Sequence, residues 1–313
     1  MELSIIIPLK NEAESIPELE SWITRVVNEN KLSYEIIFID DGSTDNSWEV
    51  IQNLANANEH IAAIKFRRNF GKAAALNTGF RAAKGEYIIT MDADLQDSPD
   101  EIPSLIAKIK SENLDIVSGW KQKRYDNALT KNLPSKLYNW TTSKMSGIKL
   151  HDMNCGLKIY RNEVVKNIEV AGEMHRYIPV IAKWEGFNKI GEKVVVHQAR
   201  KYGTSKFGME RFVNGLLDLA TIMFVGKFGK RPMHLFGTFG IFIFFIGFLI
   251  LTWLTIGKFF LGFTTIANRP IFYLGILLLI VGMQLFMSGF IAELVTRNAS
   301  QKGSYAIDKK IRL

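Results

Sequence analysis

Cysteine is almost missing. The 313 residues contain one, Cys155, so no intrachain disulfide can form and a reducing compartment is expected. Histidine is scarce, with five, and no Cys/His cluster has the spacing of a zinc site. No internal repeat or low-complexity tract is present, which argues against a solenoid or a repeat array. Charge is absent from two long stretches: Met233 to Gly257 and Pro270 to Ala292 hold no Asp, Glu, Lys or Arg. About 20 apolar residues cross a hydrocarbon core, and neither stretch has the polar face of a helix packed on a soluble domain. Two transmembrane helices are expected.

The rest of the chain is rich in basic charge, with a formal net charge of +8 and a pI near 9.3. Lys227, Lys230 and Arg231 precede the first apolar stretch, and Arg297, Lys302, Lys309, Lys310 and Arg312 follow the second. Between the stretches, Lys258 to Arg269 carries only its two end charges. The positive-inside rule places both termini in the cytoplasm, with the chain multi-pass in the cell membrane. A strand begins at Leu3 without a signal-like segment before it, so the N-terminal domain is expected on the cytoplasmic side. Another basic run comprises Lys121, Lys123, Arg124, Lys131, Lys136, Lys144 and Lys149. Anionic lipid heads and a phosphorylated lipid explain it more simply than nucleic acid does. Phe207 to Gly226 mixes apolar clusters with Glu210, Arg211 and Asp218. It suits equally an interfacial helix and an amphipathic helix packed on the domain.

Four apolar runs read as strands: Leu3 to Pro8, Tyr34 to Ile39, His60 to Phe66 and Glu86 to Thr90. Helical periodicity lies between them, over Glu14–Glu29, Ser47–Ala55 and Gly71–Ala83. This alternation predicts a doubly wound, mostly parallel α/β sheet, whose ligands bind beyond the carboxyl ends of the strands. Asn11, Asp41, Lys72 and Asp94 then share one rim. The last run leads into Met91-Asp92-Ala93-Asp94-Leu95-Gln96-Asp97. Residues i and i+2 of a strand share a face, so Asp92 and Asp94 converge, with the Gln96 amide oxygen nearby. Oxygen ligands of this kind suit Mg²⁺ or Mn²⁺ bridging phosphates. Gly42 after Asp41 lets backbone approach a ligand, and Gly71-Lys72 opens a helix whose donors can hold an anion. Ser98, Pro99 and Glu101 read as an N-cap, a first-turn proline and a capping-box acid.

The segments P-L-K-N-E, D-D-G-S-T-D, R-N-F-G-K and D-A-D-L-Q-D resemble the inverting nucleotide-sugar glycosyltransferases that include dolichol-phosphate mannose synthase and bacterial polyprenyl-phosphate hexose transferases. Asp152-Met153-Asn154-Cys155-Gly156-Leu157-Lys158 is similar to that group's D-x-x-x-G-[FL]-[RK] segment, and Arg200 to Lys206 to its R-x-x-G-x-S-K segment. The resemblance covers about residues 3 to 210 and implies a GT-A nucleotide-binding fold. It implies a nucleoside pocket of Pro8, Asn11, Glu12 and Asp41, and a nucleotide-side role for Lys72. It assigns Asp94 and Gln96 to the metal, and Asp92 to metal or ribose.

Arg200 and Lys206 suit phosphate oxygens, the Arg bidentately and the Lys as a point charge. His175 and Arg176 are candidate contacts for an acceptor phosphate. Asp152 either abstracts a proton or orients the acceptor. Some bacterial relatives carry an acid where this chain has Gly156, so the identity of a base stays open. The expected reaction moves a hexose from a UDP- or GDP-sugar to polyprenyl phosphate. A transferase acting directly on a glycolipid or polysaccharide is the alternative, and an inactive binding relative a further one. The processive synthases' Q-x-x-R-W motif is absent. The expected divisions are a catalytic domain over 1–206, a juxtamembrane segment over 207–232, spans over 233–257 and 270–293, and a cytoplasmic tail over 294–313. A homo-oligomeric state is left open.

Overall fold

The computed structural model describes residues 1–122, 143, 147–170, 172, 174–198, 201–202, 231–260, 262, 267–298 and 307–313. The chain divides into two compact units, one holding the N-terminal region and the last residues, the other the apolar helices.

The first unit is built on an eight-stranded mixed sheet. Its strands are β1 (Leu3–Leu9), β2 (Tyr34–Asp40), β3 (Ile61–Phe66), β4 (Tyr87–Thr90), β5 (Ile116–Trp120), β6 (Lys158–Arg161), β7 (Ile190–Val194) and β8 (Ile307–Ile311). Their order is β7-β5-β6-β4-β1-β2-β3-β8. The centre, β4-β1-β2-β3, is parallel throughout, as expected from the sequence, while β6 and β8 run antiparallel to their neighbours.

The central strands are buried on both faces, which is why they read as unbroken apolar runs rather than alternating ones. Alternate side chains of β1 enter different layers. Ile5 and Ile7 pack with α1 (Ile16–Glu29), α2 (Ser47–Ala57) and α4 (Ile102–Ser111). Ile6 packs with α3 (Lys72–Ala82), α5 (Asn162–Asn167) and α6 (Ile178–Trp184). Helix α1 shows how sequence becomes layer. Pro17 sits in its first turn, where a missing N–H costs nothing, and Ile16, Leu19, Ile23, Val26 and Val27 recur on its buried face.

Two local expectations fail. Ser98 makes no capping bond; Pro99–Glu101 forms a 3₁₀ turn, and Glu101 instead pairs with Lys193 at 2.6 Å and accepts the Val196 N–H at 3.1 Å. Gly42 does adopt a left-handed φ of 68°, but what its bareness admits is protein backbone: a Cβ there would stand 2.5 Å from the Arg68 carbonyl carbon. The C-terminal residues hold a feature the sequence reading did not anticipate. Strand β8 adds antiparallel to β3 and covers that edge of the sheet, and the Arg312 guanidinium donates to the Asn58 carbonyl at 2.7 Å.

The second unit contains α7 (Pro232–Phe260) and α8 (Pro270–Asn298), each longer than its expected span. They form an antiparallel pair in which backbones touch: a Cβ on Gly240 would meet the Gly282 carbonyl at 2.8 Å, and one on Gly247 the Gly275 carbonyl at 2.8 Å. Small residues on facing helices permit this approach, the usual packing of helices in lipid. Outward lie Phe242, Phe245, Trp253, Leu277 and Phe290, all exposed. A pair of soluble core helices would bury such side chains; helices suited to lipid need not.

Candidate active site

The order β4-β1-β2-β3 puts a topological switch between β1 and β4, and a crevice opens there beyond the strand ends. On the β1–β3 side most of the motif residues bond to neighbouring loops. Asn11, at φ 58°, donates its N–H to Ser43 Oγ (2.9 Å) and accepts the Thr44 N–H on its side-chain oxygen (2.9 Å). The Glu12 N–H donates to Ser47 Oγ at 2.9 Å, and Glu12 accepts the Ser15 hydroxyl at 3.1 Å. Asp45 accepts the Ser47 N–H at 3.0 Å at the start of α2. Asp41 takes the Phe70 N–H at 2.7 Å on one oxygen and the Gly71 N–H at 2.9 Å on the other. The anion expected at the start of α3 is thus a carboxylate of the chain itself. Burial raises the Asp41 pKa, and these two bonds offset part of the rise.

The β4 side differs. Asp92 and Lys72 form a half-buried ion pair. Burial opposes ionisation of Asp92, but the Lys72 ammonium, with Lys121 farther off, outweighs it and brings the pKa down to about 2. Asp94 accepts the Gln96 N–H at 3.2 Å across a turn whose middle residue, Leu95, has φ 60°. A left-handed leucine is strained, and its buried side chain anchors it there. The loop is further held by the segment before Arg200. The Gln96 carbonyl accepts the Gln198 N–H at 2.9 Å, His197 Nδ1 lies 3.1 Å from the same oxygen, and Asp97 and His197 form an antiparallel bridge. Asp97 is fully buried with Lys121 Nζ 2.6 Å away. Burial works against the Lys121 charge, but Asp97 more than offsets it and its pKa rises. Lys121 is therefore a buried structural cation, not part of a lipid-facing surface.

Between these sides lies a small cleft of about 20 Å³ lined by Pro8, Lys72, Asp92, Gly156, Lys158, His175 and Arg176. A Cβ on Gly156 would stand 2.6 Å from an Asp92 carboxylate oxygen, so the bare glycine gives that carboxylate its place. Burial, then Lys72 and Arg176, press the His175 pKa down to about 3, so its imidazole is neutral at pH 7. Lys158 is buried, with its pKa lowered by that burial, and donates to the Cys155 carbonyl. Cys155 itself is no nucleophile: burial and Asp97 raise its thiol to about 12.

Asp152 is buried, accepts the Asn154 N–H at 3.1 Å, and does not line the cleft, whereas Asn154, Cys155 and Gly156 do. The structure thus brings Pro8, Lys72, Asp92, His175 and Arg176 together, and sets Asp94 and Gln96 on the adjoining loop. Arg200, Lys206, the 207–226 segment and most of the basic run lie outside the described residues. Lys158, His197 and the Asp97–Lys121 pair were not singled out from sequence. Only Lys158 carried a signal, as the last residue of the D-x-x-x-G-[FL]-[RK] segment.

The donor set fits a divalent metal. Among the described residues no three His, Cys, Asp or Glu side chains gather into a closed cage. Mg²⁺ and Mn²⁺ do not need one: a carboxylate or two with substrate phosphates and water suffices. Asp94 and Gln96 offer such oxygens, while Asp92 is already engaged by Lys72.

The model of glycosyl transferase family 2 matches residues 4–169. The chain belongs to this family of glycosyltransferases. It is 36% identical over 305 residues to dodecaprenyl-phosphate galacturonate synthase of Rhizobium johnstonii, a match covering 95% of this chain and 88% of that protein. It is 32% identical to undecaprenyl-phosphate 4-deoxy-4-formamido-L-arabinose transferase of Proteus mirabilis, covering 95% and 89%. Among solved structures, glucosyl-3-phosphoglycerate synthase of Mycobacterium tuberculosis, in complex with Mn²⁺, UDP-glucose and phosphoglyceric acid, shares the fold. The TM-score is 0.54 at 18% identity, over 70% of this chain and 80% of that one.

Proposed function

We propose that this glycosyltransferase moves one sugar residue from a nucleoside-diphosphate sugar to polyprenyl phosphate, inverting the anomeric carbon, at a membrane it is anchored in by α7 and α8. One observation carries the reading. The similarity to relatives named for polyprenyl-phosphate products runs over 95% of the chain, so it takes in both apolar helices as well as the sheet. Each helix has 29 residues, about 43 Å at 1.5 Å per residue, enough to cross a bilayer. Strand β8 supports the hairpin topology. The chain leaves the sheet domain, makes two long helices and returns to the same sheet, which requires an even number of crossings. With the basic flanks, this favours a cytoplasmic catalytic domain.

In this reading Asp94 and Gln96 hold a divalent metal, which when bound neutralises the diphosphate leaving group. Arg200 and Lys206 close on the same phosphates. Pro8, Asn11, Glu12 and Asp41 shape the nucleoside pocket, and hydrogen bonds from Asn11, Glu12 and Asp41 to neighbouring loops hold it before substrate arrives. Lys72 fixes Asp92 beside the sugar. The acceptor is a phosphate monoester with a second pKa of about 6, so it arrives mostly as a dianion and needs no strong base. That accords with Gly156, where no acid stands, and with Asp152, which shapes the loop instead of facing the cleft.

The test is a panel of labelled nucleotide sugars, including UDP-galacturonate, UDP-glucose and GDP-mannose, given to membranes holding the full chain and undecaprenyl phosphate. Lipid-linked label with at least one donor is expected. Label passing instead to glycolipid or polysaccharide, with none on polyprenyl phosphate, would overturn the reading.

A further inference from the structure

Lys158 opens β6 at the floor of the cleft and is only 3% exposed. A lysine stem long enough to reach solvent normally does so. This one stays inside, and among the described residues no carboxylate lies within ion-pair distance of it. Its ammonium has three donors, of which one goes to the Cys155 carbonyl. Burial disfavours its charged form, and an anion beside it favours that form. The cleft wall gives the charge balance. Among the described residues that line it, the basic groups are Lys72, Lys158 and Arg176 and the carboxylate is Asp92. Lys72 and Asp92 pair with each other, so among the described residues Lys158 and Arg176 remain without a lining carboxylate. Two basic groups lining one small cleft match a dianion, and Arg presents a planar fork suited to phosphate oxygens.

We propose that Lys158 and Arg176 form the seat of the acceptor's phosphate monoester. This rests on the polyprenyl-phosphate reading and adds a residue that sequence reasoning left unassigned. The neutral His175 imidazole completes the seat as a hydrogen-bonding group and not as a third charge. The seat also separates roles: the loop at Asp94 handles the leaving diphosphate, and Lys158 with Arg176 the entering phosphate.

The test uses the full chain in detergent and direct titration calorimetry with farnesyl phosphate, farnesol, inorganic phosphate and UDP. Farnesyl phosphate should bind, farnesol should bind far more weakly, and inorganic phosphate should compete. K158M and R176Q should each weaken farnesyl phosphate by about tenfold or more, the loss of one charge-assisted contact. UDP affinity should stay within about twofold, and K158R should retain most phosphate binding. Unchanged farnesyl phosphate affinity in both variants would overturn the proposal. So would a matching loss of UDP affinity in a variant that melts like the parent, since the two cations would then serve the leaving group. If K158M does not fold, R176Q decides, because Arg176 is only half-buried. The two claims fail separately. Phosphate-dependent farnesyl binding without transfer from any donor leaves the seat and removes the polyprenyl-phosphate reading. Transfer with the acceptor KM unchanged in both variants does the reverse.

Discussion

The two sides of the crevice are made of the same residue types and behave differently. Beyond β1, β2 and β3, Asn11, Asp41, Asp45 and Ser43 spend their hydrogen bonds on neighbouring loops. Beyond β4 and β6, Asp94 and Gln96 flank a strained leucine, and Lys158 and Arg176 line a cleft where, among the described residues, the carboxylate Asp92 is paired with Lys72. The first side is finished before substrate arrives. The second is completed by charges that substrates bring. Substitutions on the first side should therefore show in stability, and those on the second in turnover.

Asp94→Ala gives the largest effect. Losing a carboxylate that helps neutralise the departing diphosphate should raise the barrier by several kcal/mol, a fall of about a thousandfold or more in transfer. Thermal unfolding should hardly move, since Asp94 is half-exposed on a loop. Chelation of the wild type should reproduce the loss, and added Mn²⁺ or Mg²⁺ should reverse it. Transfer that survives thorough chelation would remove the metal from the mechanism.

Asp41→Ala is the counterpart on the finished side. It strands the Phe70 and Gly71 N–H groups at the entry to α3. Two lost hydrogen bonds to a charged group should cost about 3 kcal/mol of stability. Denaturant unfolding of the full chain should report this, with nucleotide binding reduced less than fold stability. A variant as stable as the parent but unable to bind nucleotide would reverse the contrast and make Asp41 a ligand-binding group first.

Gly156→Ala sharpens the boundary between the sides. The new Cβ would stand 2.6 Å from an Asp92 oxygen, so the carboxylate must swing into the cleft and strain its pairing with Lys72. A displacement of about 1 Å near reacting groups costs about a hundredfold in rate. The rate should fall on that order while UDP affinity, measured by titration, changes little. Parental turnover would mean that Asp92 tolerates either position.

Much of this was legible in the chain itself. The strand cores announced themselves because parallel strands buried on both faces are unbroken apolar runs, and the motifs at their ends then fell on one rim. The apolar helices were legible through their lack of charge. What escaped notice depends on distance across the fold. Lys121 looked like one of a basic surface run, but its partner Asp97 is reached only when β5 lies beside the Asp94 loop. The last residues looked like a tail, yet the edge of β3 that makes Ile307–Ile311 a strand belongs to another part of the chain. Gly42 was rightly marked for its backbone, but whether backbone or ligand fills the space is settled by the packing of Arg68 and Asn69.

The smallest effect is expected at Asp152. Its carboxylate accepts the Asn154 N–H at 3.1 Å and lies buried behind the residues that line the cleft. Asparagine keeps an oxygen able to accept that bond, so Asp152→Asn should leave the loop and Gly156 in place. If the acceptor enters as a dianion, no proton has to be taken from it, and the variant should keep transfer within about tenfold of the parent. Its rate against pH should rise with the acceptor's own second ionisation near about pH 6 and otherwise follow the parental curve. A true general base would behave otherwise. Its removal should cost about a hundredfold or more, and the acid limb of the profile should vanish with it. Transfer that collapses while UDP binding stays at the parental level would make Asp152 the base, and would move the reacting atoms away from where Lys158 and Arg176 place them.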